Sequence, residues 1–131
     1  YAAWIEGGWQ GLAAPAEVNG VETGGQELPQ ALWMAVQELI SAADMAFTLC
    51  PLLTAGAIEA ITRFASPGQQ AAWLPRMVSG EWTGTMCLTE PQAGSDLAQV
   101  RSRAEPDGAG RYRITGQKIY ITYGEHDLTP N

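Results

Sequence analysis

At Gly80 the hydrophobic pattern of this 131-residue chain changes period, and no other feature constrains the fold as tightly. Before it, apolar residues recur every three or four positions, the spacing that gives a helix one apolar stripe. Leu32, Val36, Leu39, Ile40, Ala43 and Phe47 form such a stripe after Pro29, a residue suited to a first helical turn. A second helix is predicted from about Leu52, with Leu53, Ala57, Ile58, Ile61 and Phe64 on its inner face. Ser66-Pro67-Gly68-Gln69 reads as a helix start: a capping Ser, a Pro at the first helical position and a Gln that completes a capping box. That third helix turns Trp73, Leu74 and Met77 inward and ends near Ser79-Gly80. Upstream, residues 4–12 hold a short apolar run interrupted by glycines, and 14–28, with Asn19-Gly20 and Gly24-Gly25, read as a loop.

After Gly80 the period is two. Trp82, Gly84, Met86 and Leu88 alternate with Thr83, Thr85, Cys87 and Thr89. Further strands are predicted over 100–105, 111–114 and 117–122, with turns at Asp107-Gly108 and Thr115-Gly116. Helices followed by strands argue for an α+β fold, or for two adjoining domains cut from a larger chain. The boundary falls between a helical part, 1–81, and a strand-rich part, 82–131.

Hydrophobic residues make up 46% of the chain and charged residues 16%, a globular composition rather than a disordered one. The net charge of −7 and the lack of any Lys/Arg run argue against nucleic acid as a partner, since that affinity is largely electrostatic. No apolar stretch reads as approaching the ~20 residues that cross a bilayer, and the first residues do not resemble a signal peptide. Cys50 and Cys87 lack metal-ligand spacing and read as reduced core thiols of a cytoplasmic protein, with no metal site. The chain starts at Tyr1 rather than Met and stops at Asn131 just past a strand-like run, which reads as a piece of a longer protein.

Two stretches carry chemistry. In Met86-Cys87-Leu88-Thr89-Glu90-Pro91-Gln92-Ala93-Gly94-Ser95-Asp96 a strand ends at Thr89, Pro91 stops it, and a loop with Gly94 and Ser95 follows. Exposed N–H groups in such a turn can cradle a phosphate, although ordinary surface loops share this composition. On the last strand Lys118, Tyr120 and Thr122 share one face, either a solvated sheet face or an aromatic wall beside a hydroxyl.

Taken together, these stretches resemble the acyl-CoA dehydrogenase family. The first is Cys87-Leu88-Thr89-Glu90-Pro91 with Ala93-Gly94-Ser95-Asp96; the second is Ile114-Thr115-Gly116-Gln117-Lys118-Ile119-Tyr120-Ile121-Thr122. Gly24-Gly25-Gln26, Leu28-Pro29, Trp73-Leu74-Pro75-Arg76-Met77 and Gly80-Glu81 extend the likeness over nearly the whole chain. The resemblance implies the end of an N-terminal helical domain, the opening strands of an antiparallel β-domain, and a C-terminal helical domain absent from this chain. It implies FAD as cofactor. Met86, Leu88 and Thr89 would lie along the flavin, and Thr89 would bond its pyrimidine edge. Gly94 and Ser95 would meet the pyrophosphate, Ser95 also the acyl-CoA. Tyr120, usually Trp in the family, would pack on the ring, and Thr122 would meet N5. Gln92 stands where many relatives have Gly.

The implied reaction is α,β-dehydrogenation of an acyl-CoA, with electron-transfer flavoprotein as electron partner and a homo-oligomeric full-length form. An acyl-CoA oxidase and a DNA-binding alkylation-response relative are the alternatives. The family's catalytic base is a Glu in the C-terminal domain, so no catalytic residue is assigned here, and Glu90 reads as structural. Gly124-Glu125-His126-Asp127-Leu128 resembles a branch acting on bulky or modified substrates such as methylmercaptopropionyl-CoA. His126 stays open between a general base and a structural loop residue. Trp33 and Trp73 read as core, and Thr48 and Thr54 as either acyl-tail contacts or helix caps. The isolated chain is expected to bind FAD weakly or not at all.

Overall fold

Pro29 and Asp44 set the limits of the first long helix. The computed structural model describes residues 1–130, and they divide into two units. One comprises Tyr1–Met86 and the chain from Thr122 onward; the other is Cys87–Ile121. A short α1 (Ala2–Glu6) and a 3-10 turn (Trp9–Gly11) open the first unit. α2 spans Gln30–Ala43 with Pro29 at its N-cap, and it stops at Asp44, whose φ is −154°. The Asp44 carboxylate then accepts the Phe47 N–H at 3.0 Å and caps α3, Met45–Phe64. The single predicted stripe from Leu32 to Phe47 is therefore split over two helices. α3 also begins earlier than expected, because the Asp44 cap outweighs the N–H missing at Pro51 inside the helix.

α4 (Pro67–Val78) follows the predicted start. Ser66 Oγ accepts the Gln69 N–H and Gln69 Oε1 accepts the Ser66 N–H, a complete capping box. Buried Gln70 closes the end of α3, its amide donating to the carbonyls of Ile61 and Thr62 at 3.3 and 3.0 Å. Thr62 is among the last residues of α3, whose carbonyls a helix C-terminus leaves unpaired, while the Ile61 carbonyl also accepts the Ala65 N–H at 3.1 Å. The same side chain accepts from Asn19 Nδ2 at 2.8 Å. Asn19 sits in a two-residue hairpin joining β1 (Glu17–Val18) to β2 (Val21–Glu22), inside the stretch read as loop. Asn19 and Gly20 have φ of 50° and 81°, the two positive values of a type I′ turn.

Two apolar clusters fill this unit. Ala14, Val18, Ile58, Leu74, Met77 and Val78 form one, with Ala57, Ile61 and Trp82 against it. Trp4, Leu12 and Trp33 form the other, and the Trp4 ring meets Trp33 and Phe47 edge-on at 6.1 Å each. Trp33 is core as expected, but Trp73 is 40% exposed, because the neighbouring Leu74 takes the buried face of α4. Phe64 is 84% exposed, since α3 ends there and the chain turns away at Ala65. α3 also corrects the expectation about apolar length: a window of 18 of its 20 residues reaches a mean hydropathy of 1.5, enough by length and composition to span a bilayer. Its Thr48, Cys50, Thr54 and Ile58 are buried against protein, Glu59 and Arg63 pair along it, and 28% of the apolar stretch is buried.

Gly80 ends the helical run with φ of 77°, and a Cβ there would collide with the Ile5 side chain. Beyond it the predicted strand over 82–89 does not form, because no neighbouring strand pairs with it among the described residues. In the first unit its N–H groups go elsewhere: Trp82 to the Arg76 carbonyl, Thr83 to the Pro130 carbonyl, and Gly84 to Thr54 Oγ1 at 3.2 Å.

The second unit holds one antiparallel hairpin, β3 (Arg103–Pro106) with β4 (Tyr112–Thr115), exposed on both strands. Its turn is at Asp107-Gly108 as expected, with the Ala109 N–H donated to Asp107 Oδ1. Residues 117–122 are not a strand; Tyr120 has a φ of 59°, which breaks strand alternation. Helices followed by short antiparallel strands make the chain α+β.

Candidate functional site

The loop after Thr89 is organised by one carboxylate. Glu90 and Ala93 exchange both backbone hydrogen bonds, at 2.9 and 3.0 Å, closing a turn with Pro91 and Gln92 at its corners. The Glu90 side chain, 3% exposed, folds inward and accepts four hydrogen bonds. Lys118 Nζ and the Ser102 N–H reach Oε1 at 2.7 and 2.9 Å; the Arg101 N–H and Gln92 Nε2 reach Oε2 at 2.8 and 2.6 Å. A carboxylate has about four lone-pair sites, so these donors fill it. The Lys118 ammonium foremost, then Ser102 and the Arg101 N–H, hold its pKa well below the usual carboxylate range. Glu90 is thus an ionised structural hub with no acceptor site left for a substrate proton.

Lys118 does more than pair with Glu90. Its ammonium also donates to the Leu88 carbonyl at 2.9 Å, and the neighbouring Ile119 N–H donates to the Thr89 carbonyl at 2.9 Å. The two motifs, far apart in sequence, therefore lie side by side within the second unit. Lys118 does not share a face with Tyr120 and Thr122; it turns to the Glu90 hub, while Tyr120, in a left-handed backbone conformation, stands 84% exposed. Sequence reasoning missed this hub. Its signal was a lone Glu ending an apolar run and a lone Lys inside another, since charges placed so need partners.

The remaining predicted residues divide between the units. Leu88, Gly94 and Ser95 are exposed and Thr89 is half-buried, all in the second unit. A Cβ built on Gly94 would meet nothing within 4 Å, so protein packing does not demand glycine there. Asp96 ends the loop by accepting the Ala98 N–H at 3.1 Å and starting a 3-10 turn, Leu97–Gln99. Gln92 stiffens the loop, its amide also reaching the Gln99 carbonyl at 3.1 Å. Met86 and Thr122 belong to the first unit, both exposed, and the Thr122 carbonyl accepts from Thr85 Oγ1.

These surfaces suit a flat cofactor with a phosphate tail. Among the described residues, the N–H groups of Leu88 and Thr89 have no protein acceptor, the Gly94-Ser95 backbone is open, and an aromatic face is free at Tyr120. Such a donor edge, phosphate-accessible turn and aromatic wall are what FAD would need.

Other expectations are corrected. Thr48 and Thr54 neither cap a helix nor face open space. Their hydroxyls donate to the carbonyls of Asp44 and Cys50, both at 2.9 Å, and both side chains are buried. Of the two thiols, only Cys50 is core; Cys87 is exposed, because the strand expected to bury it does not form. No group of three or more His, Cys, Asp or Glu side chains is arranged to hold a metal among the described residues.

Residues 1–81 match the family described as acyl-CoA dehydrogenase, N-terminal domain. The whole chain aligns at 50% identity with 21% of the 3-methylmercaptopropionyl-CoA dehydrogenase of Ruegeria pomeroyi. A butyryl-CoA dehydrogenase of Syntrophomonas wolfei is 45% identical over 102 residues, 76% of this chain and 17% of that protein. The chain thus spans about a fifth of the length of these curated relatives. Among solved structures, the glutaryl-CoA dehydrogenase of Mycobacterium smegmatis superposes with a TM-score of 0.76 at 30% identity, over 92% of this chain and 30% of that one.

Proposed function

Because the chain belongs to the acyl-CoA dehydrogenase family, we propose that the protein carrying it removes hydrogen from the α and β carbons of an acyl-CoA thioester. When bound, FAD supplies the two-electron acceptor for the hydride that leaves the β-carbon. This chain's part is to hold and orient. The Leu88 and Thr89 N–H groups would donate to the flavin edge, Met86 would contact the flavin, and Tyr120 would supply an aromatic face. Gly94 lets the backbone approach the pyrophosphate while Ser95 adds a hydroxyl to it and to the acyl-CoA. Thr122 would offer its hydroxyl to the flavin. Donors aimed at developing negative charge lower the barrier without reorganising during the reaction.

The observation that carries this reading is the pairing of the two motifs, through Ile119 N–H to the Thr89 carbonyl and Lys118 to Glu90. The α-proton needs a base; Glu90 is saturated, and the family resemblance implies a Glu elsewhere in the protein for that role. Electron-transfer flavoprotein as electron acceptor, a homo-oligomeric assembly and a cytoplasmic location belong to the same proposal. Methylmercaptopropionyl-CoA is the first substrate to try, on the likeness to the Ruegeria enzyme. In the test, the full-length flavoprotein is mixed anaerobically with 3-methylmercaptopropionyl-CoA and with butyryl-CoA, then exposed to oxygen. Bleaching of the flavin with slow reoxidation is expected. Fast peroxide formation would replace the dehydrogenase reading with an oxidase, and no bleaching by any acyl-CoA would end both.

A further inference from the structure

The segment after Thr122 carries a polar cluster that this function leaves unused. The Leu128 N–H donates to His126 Nδ1 at 3.2 Å, so that nitrogen carries no proton in the neutral ring. The proton then sits on Nε2, which lies 2.9 Å from Thr83 Oγ1; the ring donates and the hydroxyl accepts. Neither ring nitrogen keeps a lone pair for a substrate. Thr83 is buried, and its own N–H donates to the Pro130 carbonyl at 3.1 Å. The His126 ring also stands edge-on to Tyr123, with centroids 5.5 Å apart.

Tyr123 has a φ of 55°, a conformation that a bulky residue holds only when its surroundings enforce it. Here the Tyr123 hydroxyl donates to the Ala46 carbonyl at 2.7 Å, in the first turn of α3, and His126 braces the ring. Thr122 lies immediately before this turn, with its carbonyl held by the Thr85 hydroxyl. Thr83 and Thr85, two positions apart, thus hold the returning chain on either side of the strained turn.

We propose that His126 is a positioning residue: by clasping Thr83 and bracing the Tyr123 turn, it fixes the Thr122 hydroxyl that the cofactor meets. This rests on the flavin reading above for Thr122, while the clasp itself does not. The role also separates two meanings of a histidine near a redox site, since a base must titrate and this residue need only donate.

The test compares His126→Ala, His126→Gln, Thr83→Val and the double variant Thr83→Val/His126→Ala in the FAD-loaded full-length protein. Flavin reduction by 3-methylmercaptopropionyl-CoA, FAD content and thermal midpoint are measured for each. His126→Ala is expected to slow maximal reduction about 10- to 100-fold, as misplacement of an orienting group does, with KM changed much less. Thr83→Val should match it, and the double variant should be no slower than either single. His126→Gln keeps an N–H donor without a titrating ring and should recover most of the rate. If His126→Gln is as slow as His126→Ala while Thr83→Val reacts normally, His126 acts as a base and the proposal is overturned. Losses that multiply in the double variant overturn it too. Should the wild-type flavin not respond to acyl-CoA, the reaction reading fails, and non-additive shifts of the thermal midpoint still decide the clasp. Should His126→Ala fail to retain FAD, the comparison of Thr83→Val with His126→Gln decides between positioning and base.

Discussion

Leu74 and Glu90 are both nearly inaccessible, at 0% and 3% exposure, yet they sit at the centres of two differently made structures. Around Leu74, helices bury apolar stripes against one another and against a small hairpin. Around Glu90 there is no such core. Among the described residues of Cys87–Ile121 only Glu90 and Ala93 are buried, and both strands of the hairpin are exposed. A packed apolar core tolerates shape-conserving change, whereas a hub of hydrogen bonds to one charge fails when any partner is left unmatched. The proposed pyrophosphate contacts lie in the hub-held unit, where backbone N–H groups stay free for a ligand because no ladder consumes them.

Amide hydrogen exchange in the full-length protein can break or sharpen this contrast. The largest expected effect is from Leu74→Ala, which leaves a cavity worth about 2–5 kcal/mol. Exchange should speed across α3 and α4, with residues 87–121 little altered. Glu90→Gln comes next and should do the reverse: the amides of Arg101 and Ser102 lose protection and the 89–96 loop loosens, while the helices keep theirs. Equal effects of both substitutions on both units would contradict the division.

Acid should act through the same hub. Because the folded-state pKa of Glu90 lies below its ordinary value, the unfolded form binds protons more readily. The stability it contributes is therefore fully present above the ordinary Glu pKa of about 4.3 and is lost as pH falls below that toward the folded-state value. Exchange at Arg101 and Ser102, corrected for its intrinsic pH dependence, should report this loss, and Glu90→Gln should abolish the pH effect. Smaller still, Ser66→Ala removes half of the α4 capping box and should cost about 1 kcal/mol, felt in the first turn of α4. The exposed Glu59–Arg63 pair is the control: Glu59→Gln should change stability by less than about 0.5 kcal/mol.

The same contrast explains what the sequence made legible. Helices write their packing into spacing, so α4 could be read from its Ser66 cap through buried Leu74 and Met77. Errors arose where a local signal competed with the period: Asp44 divided one stripe, Pro51 hid the early turns of α3, and Trp73 sat one position from the buried face. The Asn19-Gly20 hairpin had its turn signal, but strands of two residues are too short to show alternation. After Gly80 spacing found the β3–β4 hairpin but misled elsewhere. Strands were expected wherever residues alternated, yet a strand needs a paired neighbour, and 82–89 and 117–122 have none among the described residues. The candidate site residues were named by resemblance to the family. Sequence signalled the Glu90–Lys118 hub only as two lone charges, because its members are 28 positions apart.

The proposal places the flavin contacts on residues 86–95 and 118–122 rather than on the helical core. It is tested most directly by amide hydrogen exchange of the full-length protein with and without FAD. New protection is expected at residues 86–95 and 118–122 on FAD binding, with α2 and the middle of α3 unchanged. Protection confined to the helices, with none at those two stretches, would contradict it.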